Sequence, residues 1–269
     1  MCTKVQQPNK AHPIKFIPIG HMAIPAPRTA ELLETLVAYL NAGQTLPELD
    51  AARIKREIRV LDDPIAKSLL TALCHGAMGK ELEAIAAFEA AMKDYQDSAI
   101  GFNYCTYLRQ IGRFADFVQL SFYCADQFED PEHVQFALNA AQIICDMKRT
   151  AAFALKLSKY YPGERGDAVL TSSGNFIRMI QDIEDELGVQ ETDINSLSMA
   201  CLEIAAKYRK DIGGSRITVA DEMVVLCLEL YSCEPDELAD MNHDLAMKIA
   251  ENEKLFELPA TAWFRDHVE

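Results

Sequence analysis

Apolar residues between Thr29 and Pro162 recur every three or four positions, which is the spacing of one face of an amphipathic helix. This pattern also repeats along the chain. The triplet Ala84, Phe88 and Ala91 has counterparts at offsets of about 33 to 34 residues, namely Phe117, Ser121 and Cys124, and then Ala151, Leu155 and Ser158. Residues that start or stop helices recur at similar intervals, at Asp62-Asp63-Pro64, Asp97, Asp130-Pro131 and Pro162-Gly163. These markers divide the region into four units.

Each unit predicts two helices joined by a short turn. The second unit predicts helices over about 66–78 and 81–95, and the third over about 99–111 and 114–128. Gly79 and Gly112 fall in the turns, where glycine tolerates the positive φ that ends a helix. A chain of such helical hairpins is expected to be mainly α.

The length of the helix pairs, the glycine in the turn and the triplet Ala84, Phe88 and Ala91 resemble the tetratricopeptide repeat. The resemblance covers about residues 29–163, with degenerate repeats. It implies an α-solenoid of helical hairpins. Such a superhelical stack has a concave face that typically holds a peptide or a helix of another protein.

The pattern changes after Gly163. Segments 167–187 and 194–210 have helical periodicity, and Gly213-Gly214 then interrupts the chain. Segment 216–231 alternates apolar residues with others, which favours a β-hairpin. Thr218 followed by Asp221 also fits a helix capping box, so a helix stays open as the alternative.

The last part of the chain predicts one helix and one strand. A helix is expected from Ser232 to about Asn252, with Pro235 in its first turn. Residues 260–265 predict a final strand that returns as an edge strand beside the hairpin. The region 164–269 is therefore expected to be a small α+β module in the order helix, helix, hairpin, helix, strand.

The first 28 residues predict an extended arm, because they contain five prolines, whose density excludes a helix. Apolar residues between the prolines indicate that the arm lies against something. It either packs on its own domain or, being basic, docks on an acidic partner.

Charge separates the predicted parts of the chain. The net charge of −15 divides into +4 over residues 1–30, −5 over 31–163 and −14 over 164–269. The step at residue 163 predicts a boundary between the 29–163 repeat domain and the acidic 164–269 module. So negative a chain disfavours binding to nucleic acid or to anionic membranes.

Cysteine usage and the N-terminus predict a cytoplasmic protein. Eight cysteines are widely spaced, without a C-x-x-C pair, which is typical of buried free thiols in a reducing compartment. No apolar signal-peptide core or membrane-length apolar run is found.

Two groups of residues are candidates for contact with a partner. Tyr104, Tyr107 and Arg109, with Asn103 and Asn139, have the side chains expected to line a binding groove. The second group is a basic cluster, which is either a solvated helix face or a docking site for an acidic partner; it comprises Arg53, Lys55, Arg56 and Arg59.

The sequence predicts no catalytic residue, no metal and no cofactor. The cluster Asn242-His243-Asp244 is expected to form a solvated helix face. Cys74 and His75 are expected on different faces of a helix. The main hypothesis is a non-catalytic adaptor or scaffold that binds another protein or peptide. One alternative is an antitoxin or immunity-type protein whose acidic module neutralises a basic partner; the other is an enzyme with a repeat scaffold.

Overall fold

A computed structural model describes residues 27–231 and 233–266. These residues form two compact units, one ending at Gln110 and the other beginning at Ile111. The prediction of a mainly α chain with a small α+β end is confirmed. The predicted N-terminal arm lies outside the described residues up to position 26. The first helix already begins at Pro27 rather than at Thr29, since proline is well suited to the first helical position.

The first unit consists of five helices. They are α1 (Pro27–Asn41), α2 (Glu48–Arg59), α3 (Pro64–Ala77), α4 (Glu81–Tyr95) and α5 (Ser98–Gln110). Local sequence explains their ends. Asp63 accepts hydrogen bonds from the backbone N–H groups of Ile65 and Ala66, at 2.9 and 3.2 Å, and so caps α3. Gly79 has a φ of +71° in the turn to α4, as the sequence predicted.

Aromatic rings and small residues build the core of the first unit. The Phe88 ring of α4 stacks on Tyr104 of α5 at 4.9 Å between centroids and packs on Tyr107 at 5.5 Å. Ala84 and Ala91 of the repeat triplet are buried beside Phe88. The small residues let neighbouring helices approach while the ring fills the space between them.

The second unit begins with five more helices. They are α6 (Phe114–Gln127), α7 (Pro131–Ile143), α8 (Met147–Tyr160), α9 (Glu164–Leu187) and α10 (Glu191–Lys207). Strands β1 (Ile212–Ala220) and β2 (Met223–Leu230), helices α11 (Pro235–Glu251) and α12 (Glu253–Phe256), and strand β3 (Ala260–Asp266) complete it.

Segment 216–231 is a hairpin, as favoured, and the alternative of a capped helix is wrong. The two turn residues Asp221 and Glu222 have φ values of +51° and +61°, which match the two-residue turn that antiparallel strands need. Strand β3 pairs with β2 in parallel, so the strand order is β1-β2-β3 and β3 is an edge strand, as predicted.

The two faces of the sheet differ. Val224, Leu226, Leu228 and Leu230 of β2 are fully buried on one face, where α10 and α11 contact the sheet. The residues between them point to the opposite face because side chains alternate along a strand. On that opposite face Met223 is exposed and Val225 and Glu229 are half-buried, while Cys227 is buried.

The predicted boundary at residue 163 falls in the turn between α8 and α9. These two helices pack closely within the second unit. A Cβ atom on Gly166 of α9 would lie 2.2 Å from the carbonyl oxygen of Tyr161, which shows how near the backbones come. In packing terms the chain divides after Gln110, and a boundary at 163 stays a prediction drawn from charge.

None of the helices in the described ranges has both the length and the hydropathy needed to cross a bilayer.

Candidate functional site

The first unit has an open cleft between α1 and α2. Its volume is about 360 Å³. Leu32 of α1 and Ile54 of α2 form an apolar floor and are almost completely buried. The rest of the lining is polar and carries both signs of charge; it comprises Arg28, Glu31, Glu34, Thr35, Arg53 and Glu57.

Ion pairs hold the rim of this cleft. The guanidinium of Arg28 donates to Glu31 at 2.5 Å and also to Glu57 of α2, which ties the start of α1 to the neighbouring helix. These hydrogen bonds, that to Glu31 first, raise the pKa of Arg28. Arg53 lies 3.1 Å from Asp50 in its own helix, and 64% of its side chain stays exposed. The cleft therefore combines an apolar floor with an exposed, charged rim.

The predicted basic cluster lies on α2. Arg53, Arg56 and Arg59 are exposed, while Lys55 is half-buried. Arg56 Nε donates to the Ala52 carbonyl oxygen at 3.3 Å, within its own helix. Arg53 and Arg56 are therefore at the surface and accessible in the first unit, and one of them lines the cleft.

The predicted groove residues of α5 are largely internal. Tyr104 and Tyr107 are 7% and 1% exposed and pack on Phe88. Asn103 is fully buried, and its Nδ2 donates to the Ala99 carbonyl oxygen at 2.7 Å. Arg109, near the end of α5, is half-buried. Contact of these residues with a partner stays a prediction.

Asn139 lies in the second unit, on α7, and not with the α5 residues in the first unit. Its side chain is exposed and accepts a hydrogen bond from Gln135 Nε2 at 2.8 Å.

The cluster at 242–244 is mainly structural. Asn242 of α11 accepts from the Phe264 N–H at 2.7 Å and donates to the Phe264 carbonyl oxygen at 3.0 Å, so its amide pairs with the edge of β3 as a further strand would. His243 is exposed. The sequence gives no signal for the contact of Asn242, because it joins residues 22 positions apart.

Asp244 links α11 to α10. It accepts hydrogen bonds from Lys207 Nζ at 2.6 Å and from the Tyr208 hydroxyl at 2.7 Å. The hydrogen bond from Lys207, and then that from Tyr208, lower the pKa of Asp244. The hydrogen bond between Tyr208 and Asp244 also raises the pKa of Tyr208 to about 12. A general acid or base needs a pKa near neutrality, so this carboxylate serves as an anchor.

The surroundings of Cys74 and His75 do not favour a nucleophilic cysteine activated by a histidine. Burial raises the pKa of the Cys74 thiol, and burial followed by the charge of Lys55 lowers the pKa of His75. Cys74 is fully buried, whereas His75 is only partly so. A protonated, inaccessible thiol is a poor nucleophile. Within residues 27–231 and 233–266, no three His, Cys, Asp or Glu side chains are grouped so as to hold a metal ion.

Comparison of the chain with models of protein families, with curated proteins and with solved structures finds no match.

Proposed function

We propose that this chain is a cytoplasmic, non-catalytic interaction protein whose degenerate tetratricopeptide-like hairpins bind a peptide or helix of another protein. The cleft between α1 and α2 carries the proposal. It has an apolar floor of Leu32 and Ile54 under a rim of both charges, with the exposed Arg53 on one side. An apolar centre inside a polar rim is the usual composition of a protein interface.

The size and charge of the cleft favour a polypeptide segment. A volume of about 360 Å³ takes one or two side chains of a partner rather than a large ligand. Arg53 and Arg56 add positive charge beside the cleft, so the partner segment is expected to carry a carboxylate next to an apolar side chain. The net charge of −15 disfavours nucleic acid and anionic membranes as partners.

Charge reversal on α2 tests this function. The full chain is immobilised, and proteins captured from its native cells are compared with those captured by the Arg53→Glu/Arg56→Glu variant. We expect a reproducible set of partners to be lost, because the variant turns attraction of a carboxylate into repulsion. Quantitative mass spectrometry measures the loss.

A matched control separates local contact from total charge. Lys93→Glu/Lys148→Glu makes the same change in net charge at two exposed lysines on α4 and α8. This control is expected to keep the partners, and circular dichroism should show that both variants are folded. Retention of the partners by the α2 variant, or equal loss in the control, would contradict the proposed site.

A further inference from the structure

The face of the sheet opposite the buried β2 residues Val224, Leu226, Leu228 and Leu230 has an unusual composition. Side chains of β2 at positions 223, 225, 227 and 229 point to this face, since those at 224, 226, 228 and 230 are buried on the other. The pairing register then places the neighbouring residues of β1 and β3 beside them. The open sheet face, as we call it, comprises Arg216, Thr218, Met223, Val225, Cys227, Glu229, Thr261, Trp263 and Arg265.

Trp263 is the largest exposed side chain of the open sheet face and lies on its edge strand, β3. It is the only tryptophan of the chain, and it is 54% exposed. Its register partner on β2 is Cys227. Met223 is also exposed and Val225 is half-buried on the same face. An exposed indole with apolar neighbours is the kind of residue that dominates interface energies.

Two arginines of the open sheet face share one carboxylate; Arg265 is two residues from Trp263 on β3, and Arg216 lies across β2, on β1. Arg216 of β1 and Arg265 of β3 both pair with the same oxygen of Glu229, Arg216 at 3.6 Å. Their side chains are 41% and 43% exposed. Arg265 Nε has no hydrogen-bond partner among the described residues. Two guanidinium groups and one carboxylate leave a local charge of +1 in a region whose net charge is −14.

We propose that the open sheet face binds an extended acidic segment of a partner protein. A carboxylate of the segment pairs with Arg216 and Arg265, and an apolar side chain two residues away covers Trp263. The spacing fits because Trp263 and Arg265 are themselves two residues apart on β3, about 7 Å, which is the distance between same-side residues of any extended chain. The partner segment is therefore expected to contain an acidic residue, then any residue, then an apolar residue.

The size of the face argues for a short segment rather than a second copy of the chain. Three strands spaced about 4.8 Å apart and four residue rows give on the order of 300 Å². A stable dimer buries about 800 Å² on each partner. This surface lies within the second unit and does not depend on the cleft between α1 and α2, so either proposal stands or fails alone.

The intrinsic fluorescence of Trp263 reports binding directly, because no other tryptophan contributes. The probe is the acetylated and amidated peptide Ser-Glu-Thr-Leu-Ser, in which a carboxylate and an apolar side chain lie two residues apart, added to the full chain at low salt. We expect a saturable blue shift of the emission, weaker binding at high salt, and no shift with the control peptide Ser-Lys-Thr-Leu-Ser. No shift with the acidic peptide at millimolar concentration, or an equal shift with both peptides, would overturn the proposal.

Variants locate the site. Arg216→Gln is expected to weaken binding about tenfold, because it removes a charge-assisted hydrogen bond. Arg178→Gln, an exposed arginine of α9, is the matched control and should bind as the native chain does. Thr218→Glu places a repelling carboxylate at an exposed position of the same face without touching the Glu229 pairs, so it serves if Arg216→Gln does not fold. Equal affinity in the control and in both face variants would refute the site.

Other occupants give distinct results, each of which overturns the proposal. A blue shift that disappears when the free protein is diluted would indicate a second copy. An emission that is blue-shifted in the free protein at every concentration would mean that the chain covers this face itself. A shift with oligothymidine but not with the acidic peptide would indicate single-stranded nucleic acid.

Discussion

The carboxylate of Asp244 shows how one side chain joins two helices of the second unit. It receives hydrogen bonds from Lys207 and Tyr208, and these bonds lower its pKa below the ordinary value of 3.8. A carboxyl whose pKa is lower in the folded than in the unfolded state stabilises the fold above its unfolded pKa. That stabilisation is lost as the pH falls through the folded pKa.

Asp244→Asn is therefore expected to lower the urea midpoint of unfolding at pH 7, and the difference from the native chain is expected to shrink as the pH falls below about 4. Urea titrations followed by circular dichroism between pH 7 and pH 3 measure it. Asp240→Asn is the control, since Asp240 is exposed one turn away on α11. A difference that is the same at every pH would contradict this role.

At the residue scale, the sequence predicted which residue types have polar atoms but not where those atoms point. Tyr104 and Tyr107 suit a binding groove by composition, yet they pack on Phe88 in the first unit. Asn242 was expected on a solvated face, yet its amide pairs with the backbone of Phe264. Both outcomes depend on contacts between different helices or strands, which helical periodicity alone does not encode.

At the element scale, two glycines within helices differ in how closely another element packs against them. A Cβ on Gly76 of α3 would lie 2.7 Å from the Tyr107 ring, and Tyr107 is 1% exposed beside Phe88. Gly76→Ala is therefore expected to destabilise the fold by about 1 to 3 kcal/mol through overpacking. Gly174→Ala in α9 has open space around its Cβ and is expected to stabilise by about 0.5 to 1 kcal/mol.

Urea unfolding of the two variants measures these changes. Both glycines lie in helices, so replacement by alanine raises helix propensity equally at both positions. Opposite signs of the change in unfolding free energy would therefore come from the contact of residue 76 with Tyr107. If Gly76→Ala were as stable as the native chain, the packing of α3 on α5 would be looser than the distance indicates.

Elements whose signals are local were predicted well. The helices of the hairpins end near the expected residues because Asp63, Gly79 and Gly112 act within one turn of themselves. The hairpin over 216–231 follows from alternation in β2. The parallel direction of β3 relative to β2 was not predicted, since it depends on the crossover through α11 rather than on the strand itself.

Surface charge and packing divide the whole chain at different places. The step in charge falls at residue 163, whereas the compact units meet between Gln110 and Ile111, inside the third predicted hairpin. Charge is a property of exposed side chains, and compactness depends on buried ones, so the two need not coincide. Both compact units contain buried thiols, so the division between the units after Gln110 can be measured by thiol labelling.

Thiol labelling in increasing urea should reveal two groups of cysteines. Cys74 and Cys105 are buried in the first unit; the buried cysteines of the second are Cys124, Cys145, Cys201 and Cys227. Burial raises the pKa of Cys145 to about 12, which keeps its thiol protonated and unreactive. In a Cys2→Ser variant, only Cys233 is half-exposed among the described cysteines and is expected to react in native buffer.

As urea rises, we expect Cys74 and Cys105 to become reactive together, and the other four together at a different concentration, because each compact unit loses its core cooperatively. A maleimide pulse followed by peptide mass spectrometry assigns each cysteine, with Cys233 as the internal reference for reagent activity. Labelling of all six at one urea concentration would mean that the units unfold as one. Grouping of Cys105 with Cys124 would move the division away from Gln110.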